Sequence, residues 1–305
     1  GRKFLMAGKS GLNLTHSEPM DAFVSRFAER REQLEPTLLR FDNEALRAWA
    51  LELGVETIVG SSGRVFPKGF KAAPLLRTWI SRLRKAGLRT HTRHRWLGWT
   101  PDGALQFRTP DGDVTVTAAA TVLALGGASW PKLGSDGIWL SELAGRDVPV
   151  TPFRPANGGF GVDWSDYFRS HFGGAPVKSV LLSSGNMRKP GEFGVTETGI
   201  EGSGVYAVSV PLRDEIDAQG AAILTLDLTP GRNIEKLERD LARDRGGNTF
   251  ANHLRKTTGL KGVKAGLLRE FTSSETRENI SALAAAIKAL PVPVVRTRPI
   301  AEAIS

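Results

Sequence analysis

The chain has no cysteine among its 305 residues and only two tyrosines. Without thiols there are no disulfides, thiolate metal sites, iron–sulfur clusters or cysteine nucleophiles. Any redox chemistry must then come from a bound cofactor. No apolar run approaches the roughly 18 residues of a spanning helix, and the basic start Gly1-Arg2-Lys3 is not followed by a long apolar stretch with a small-residue cleavage site. The chain therefore reads as cytoplasmic, neither secreted nor membrane-embedded. With 40% apolar and 24% charged residues, collagen-like and disordered classes are excluded. The length predicts about two domains. A formal charge of +9 suits an anionic partner, but the arginines are dispersed rather than packed into one block. A phosphate-bearing small molecule is favoured over nucleic acid.

Along the first 145 residues, helical and strand patterns alternate. Ala72, Leu76, Trp79, Ile80 and Leu83 share one face at helical spacing within 71–86, with Gly87 as a stop. After the turn at Asp111-Gly112, Val114 and Val116 alternate with polar residues. Thr121–Leu125 then runs apolar into Gly126-Gly127, as a buried parallel strand would. Ser135 or Asp136 can cap a short helix bearing Ile138, Leu140 and Leu143, closed by Gly145. This order argues an α/β class. From about Val150 the pattern changes to short β-rich pieces at Val177–Leu182, Phe193–Thr196, Val205–Val210 and Ile223–Leu228. Asn233 can cap a helix with Ile234, Leu237 and Leu241, and a further helix carries Leu283, Ala284, Ile287 and Leu290. The Pro291-Val-Pro-Val-Val-Arg296 stretch is extended, because each proline pushes its predecessor out of the helical region.

None of the five histidines sits in a zinc or triad signature. His91 and His94, beside Arg93 and Arg95, read as an exposed basic strand, and no metal is expected. Trp96 and Trp99, three residues apart, should point to opposite faces of a strand and serve core packing. The triplet Gly8-Lys9-Ser10 suggests a P-loop, but that motif needs glycine where Lys3 stands and an uninterrupted helix afterwards. Phe4–Ala7 reads as a short strand, and Gly8–Asn13 as a glycine loop whose backbone amides can approach an anion.

The run Gly1-Arg-Lys-Phe-Leu-Met-Ala-Gly-Lys-Ser-Gly-Leu-Asn-Leu-Thr15 resembles a segment of BaiN-like, aminoacetone-oxidase-like NAD(P)/FAD-dependent flavoproteins. Three further stretches match that family in order: Gly63-Arg-Val-Phe-Pro67, Ala124-Leu-Gly-Gly-Ala-Ser-Trp-Pro131 and Thr196-Glu-Thr-Gly-Ile-Glu-Gly-Ser203. Arg298-Pro-Ile-Ala-Glu-Ala-Ile304 is similar to the family's return into its FAD domain. The resemblance implies a Rossmann-like FAD-binding domain over 1–149 with an inserted domain over 150–290, β-rich at 150–230 and helical at 231–290. Residues 291–305 would return to the first domain.

The resemblance also implies that Arg2, Lys3, Gly8, Gly11, Asn13, Thr15, Gly126 and Gly127 lie along FAD, cations and loop amides facing phosphate or ribose oxygens. Arg64 and Phe66 would lie near the flavin or substrate; a surface turn with Phe66 as a core anchor reads equally well from the residues. Thr196 and Glu197 fall in the same vicinity. Two positions depart from the family: Leu125 stands where threonine is common, and Glu201-Gly202-Ser203 where Ser-Gly-Pro is usual. The implied activity is hydride transfer through the flavin between a small organic substrate and NAD(P)H or dioxygen. No catalytic acid or base can be named.

A FAD site of this class opens with a strand, a Gly-x-Gly-x-x-Gly turn and a helix, a unit not found in these 305 residues. The resemblance begins just after the place that unit would occupy. A chain lacking this unit is expected to bind FAD weakly, since the pyrophosphate cradle is the main anchor. A non-catalytic phosphate- or nucleic-acid-binding role, or an inactive fragment of the flavoprotein, remains the alternative.

Overall fold

The computed structural model describes residues 1–7 and 11–304, which form two compact units, Gly1–Val150 and Thr151–Ser305. The β-rich and helical stretches of the second unit lie between about residues 151 and 290. Residues 291–304 belong to this unit as well, through its last strands.

The first unit begins with helix α1 (Arg2–Ala7), where the residues predicted a strand. Four apolar residues fit either period. Lys3 and Phe4 are half-buried while Leu5 and Met6 are exposed, and Phe4 packs against Trp79 at 6.3 Å between ring centroids. One-sided burial of this kind suits a helical turn. Next come β1 (Thr15–His16), α2 (Met20–Ser25), α3 (Arg31–Arg40) and α4 (Asn43–Glu52), the last capped by the Asp42 side chain accepting from the Ala45 N–H. Strands β2 (Thr57–Val59) and β3 (Arg64–Pro67) join β1 in a small sheet of order β1-β3-β2. Helix α5 (Ala72–Lys85) forms as its periodicity predicts. Its Ala72 and Leu75 meet Leu12, Ala50 and Leu53 in a small core.

A second three-stranded sheet holds β4 (Arg95–Trp99), β5 (Leu105–Thr109) and β6 (Gly112–Val116). His91 and His94 lie just before β4 in irregular backbone and turn, not in a strand. Trp96 and Trp99 do not face apart. A bulge between Trp96 and Gly98 shifts the register, so Trp96 pairs with Phe107 and Trp99 with Leu105. The extra residue restores the two indoles to one face, where they meet edge-on at 4.7 Å. Thr121–Leu125 is not a strand: the segment lacks regular structure and Val122 is 89% exposed. A β-rich apolar run adopts strand geometry only when neighbours complete its hydrogen bonds, and among the described residues none pairs with it. Helix α6 (Trp139–Ala144) closes the unit.

The second unit is built on a seven-stranded sheet of order β12-β11-β8-β9-β10-β7-β13. Its strands are β7 (Phe160–Gly161), β8 (Pro176–Ser184), β9 (Met187–Thr196), β10 (Gly199–Glu201), β11 (Ala222–Asp227), β12 (Leu290–Val294) and β13 (Arg296–Thr297). Every strand pairing among the described residues is antiparallel. Prolines 291 and 293 face outward on the edge strand β12, where a missing N–H costs little, and Leu290, Val292 and Val294 point inward. Leu290 thus begins a strand rather than ending a helix.

Helices α7 (Asp166–Phe172), α8 (Ser203–Tyr206), α9 (Ser209–Gln219), α10 (Ile234–Leu241), α11 (Phe250–Thr258), α12 (Val263–Glu270), α13 (Ser274–Glu278) and α14 (Ile280–Lys288) complete the second unit. Val205–Val210, expected as a strand, contributes instead to α8 and α9. Val205, Val208, Ser209 and Leu212 are the buried positions, a spacing of three, four and seven that belongs to a helix. The β-branched valines favour strands only weakly, and burial periodicity prevails. Asn233 caps α10 by accepting from the Lys236 N–H at 3.0 Å, as expected.

Candidate functional site

Three of the implied cofactor residues come together in the first unit. Helix α1 presents Lys3, whose Nζ donates to Ser129 Oγ at 2.9 Å and Ser135 Oγ at 3.0 Å. Ser135 Oγ in turn donates to the Gly127 carbonyl at 2.8 Å, and the Trp139 indole N–H donates to the Gly126 carbonyl at 3.0 Å. Both serines are buried. The ammonium is thus held against two hydroxyls at the glycine doublet. Gly126 has a φ of +77°, which glycine adopts without penalty. Side chains there would meet little: a Cβ at Gly126 or Gly127 would find Ser135 Oγ no closer than 3.9 Å. The doublet therefore leaves open space beside a cation and two hydroxyls. Residue spacing alone did not single out Ser129, although it stands two places after the doublet in the same motif. Ser135 was expected only as a helix cap, a role it does not take: α6 begins at Trp139 without a side-chain cap.

A second group assembles along β3. Leu12 N–H donates to the Phe70 carbonyl at 3.0 Å, and Leu14 N–H to the Val65 carbonyl at 2.8 Å. Thr15 pairs with Val65, and His16 with Arg64. Gly11, Asn13 and Thr15 therefore run alongside Arg64 and Phe66. Arg64 and Asn13 are exposed, and Phe66 and Thr15 half-buried. Gly11 combines a φ of +120° with close packing; a Cβ there would lie 3.2 Å from Phe70 and 3.5 Å from Phe66. Glycine at this position is therefore demanded by the fold itself. The two phenyl rings sit 5.3 Å apart. Arg2 is exposed at the start of α1. Gly8 lies outside the described residues, as do Lys9 and Ser10.

Beside β1, Asn43 ties the chain down, its side-chain amide donating to the carbonyls of His16 at 2.8 Å and Glu18 at 3.1 Å. The hydrogen bond from Arg26 holds the Glu18 carboxyl below the usual glutamate range, against a smaller opposing effect of burial.

Thr196 and Glu197 lie in the second unit, at the β9–β10 hairpin. Thr196 pairs with Gly199 across a two-residue turn, and its carbonyl accepts from the Trp164 indole at 3.1 Å. Glu197 is exposed in the turn, and Thr198 Oγ1 accepts from Arg298 at 2.7 Å.

The Lys3 ammonium at the glycine doublet fits the oxygen-rich part of a dinucleotide: it has a third proton for a phosphate or ribose oxygen, while Ser135, whose one proton goes to the Gly127 carbonyl, holds it in place. Among the described residues no group of three His, Asp or Glu side chains is arranged to hold a metal, and no helix is long and apolar enough to cross a membrane. Residues 1–278 match the family described as HI0933-like protein Rossmann domain. No curated protein matches the chain.

Proposed function

We propose a flavin-dependent redox role on one premise: the chain belongs to the HI0933-like Rossmann-domain family, a family of FAD-dependent oxidoreductases. In this reading Lys3, positioned by Ser129 and Ser135, holds phosphate or ribose oxygens of FAD beside the backbone of Gly126 and Gly127. Gly11–Thr15 and Arg64–Phe66 form a second contact strip, and Gly8 is assigned to FAD from the motif match alone. When bound, the flavin supplies hydride exchange with a small organic substrate, and NAD(P)H or dioxygen completes the cycle. The BaiN-like, aminoacetone-oxidase-like branch is the subgroup this reading favours, on the four ordered motifs.

The chain's own contribution is binding and orientation. Lys3 neutralises phosphate charge, and the serine hydroxyls bound to it fix its direction. Phe66 and Phe70 supply an apolar wall, and Arg64, exposed beside them, offers a cation to an anionic substrate group. Thr196 and Glu197 are proposed for the flavin or substrate vicinity from the motif match alone. The observation that carries the reading is the convergence of Lys3 on Ser129 and Ser135 at the doublet.

The test is the visible spectrum of the purified full chain, with the released chromophore identified, followed by FAD titration of the Lys3→Met variant. The parent is expected to take up added FAD, weakly in the absence of the glycine-rich cradle, and the variant should lose about tenfold or more in affinity, the weight of a charge-assisted hydrogen bond. A folded, colourless protein that does not take up added FAD would overturn the proposal. So would a Lys3→Met variant that binds FAD as tightly as the parent.

A further inference from the structure

Helices α7 and α10–α14 of the second unit surround a cavity of about 820 Å³, within the range of roughly 300–1,000 Å³ typical of small-molecule sites. None of the cofactor or substrate residues implied by the resemblance lines it, although the helix residues Leu241 and Leu283 do. Its apolar wall comes from Phe172, Phe250, Leu254 and Leu283. Gly266 on α12 makes the wall possible, since a Cβ there would collide with the Phe172 ring of α7. The two helices can approach only because that side chain is missing.

The charged lining is one-sided. Four arginines, Arg243, Arg245, Arg269 and Arg277, face the cavity with a single carboxylate, Glu278. Arg243 is already paired with Asp240 at 2.7 Å. Among the described residues the other three form no ion pair. Arg245 donates to the Asn248 carbonyl at 2.7 Å. Arg277 is engaged with the Thr272 carbonyl and with the Arg269 carbonyl at 3.3 Å, which makes it part of the helix junction. The Arg269 guanidinium lies over the Tyr167 ring, 5.4 Å from its centroid, and is exposed. Arg277 also acts on the Glu275 carboxylate, which leaves Arg245 and Arg269, beside aromatic and aliphatic surface, to focus positive potential into the cleft. Their fork geometry matches a carboxylate.

We propose that this cavity binds an organic anion: an apolar ring body lying against Phe172, Phe250 and Leu254, with its carboxylate held by Arg245 and Arg269. The lining belongs wholly to the second unit, and the proposal does not depend on the flavin reading.

Calorimetric titration of the full chain with 2-naphthoate, against the neutral isostere 2-naphthamide, tests it. The carboxylate should bind and the amide about tenfold more weakly. Arg245→Gln combined with Arg269→Gln should erase that preference. Ala251→Trp, which fills the cavity from an exposed position on α11, should abolish binding with far-ultraviolet circular dichroism unchanged. Lys3→Met should leave naphthoate binding intact, separating this site from the proposed flavin site. Equal affinity for the two probes, no binding of naphthoate, or binding that survives both the arginine changes and Ala251→Trp would overturn the proposal.

Discussion

Glu18 and Arg26 form a local clamp beside β1, with Nε and Nη2 of the guanidinium donating to the two carboxylate oxygens. The folded carboxyl is held below its ordinary value, so the unfolded chain binds its proton first as pH falls. The stabilisation is complete above the ordinary glutamate pKa and disappears as pH drops through the lowered one. Glu18→Gln should therefore flatten the acid limb of stability against pH, read as urea midpoints at several pH values. An unchanged acid limb would mean that the clamp carries no weight. At Gly11, alanine would have to adopt the left-handed region and push against Phe66 and Phe70. A loss of about 1–3 kcal/mol is expected from chemical denaturation. Stability equal to the parent would show that the loop relaxes freely. The need for glycine here was legible in the sequence, but the reason was not: the crowding rings come from residues 66 and 70, and long-range packing leaves no trace in a local motif.

At the level of elements, what is locally determined could be read and what is determined by partners could not. The Asn233 cap and the α5 face follow from side chains acting within one or two turns. Asn233→Ala should cost about 1 kcal/mol, measured by thermal or urea unfolding; no loss would imply that another group replaces the cap. By contrast Phe4–Ala7, Thr121–Leu125 and Val205–Val210 are short apolar runs whose conformation is decided by what they meet. Phe4 meets Trp79, Val205 and Val208 meet the sheet core, and among the described residues Thr121–Leu125 pairs with no strand. The tryptophan pair on β4 reversed its expected facing for a related reason, because a single inserted residue changes strand parity and no rule of spacing reveals it. In the candidate site, the glycine doublet and Lys3 were legible through their motif. Their convergence through Ser129 and Ser135 spans more than 120 residues of sequence and required the fold.

Across the whole chain, apolar burial is distributed unequally. The second unit has an extensive continuous core around β8, β9, β11 and α14, whereas the main buried cluster of the first contains Leu12, Ala50, Leu53, Ala72 and Leu75. Strand β6 is exposed along its length. Burial is the dominant stabilising contribution, so backbone amides of β4–β6 should exchange with solvent faster than those of β8, β9 and β11. Hydrogen-exchange mass spectrometry checks this, and comparable protection in both units would contradict it. Leu182→Ala, at a fully buried site, should cost about 2–5 kcal/mol in the second unit. The bulge in β4 leaves an additional mark. Two indoles edge-on at 4.7 Å, and a second edge-on pair, Trp49 and Trp79, at 5.3 Å, are coupled chromophores whose transition dipoles mix. Both pairs lie in the first unit, and the second contains Trp164 alone. An exciton couplet in the dichroism spectrum would therefore report the first unit by itself, giving each half of the chain its own optical signature without any added label.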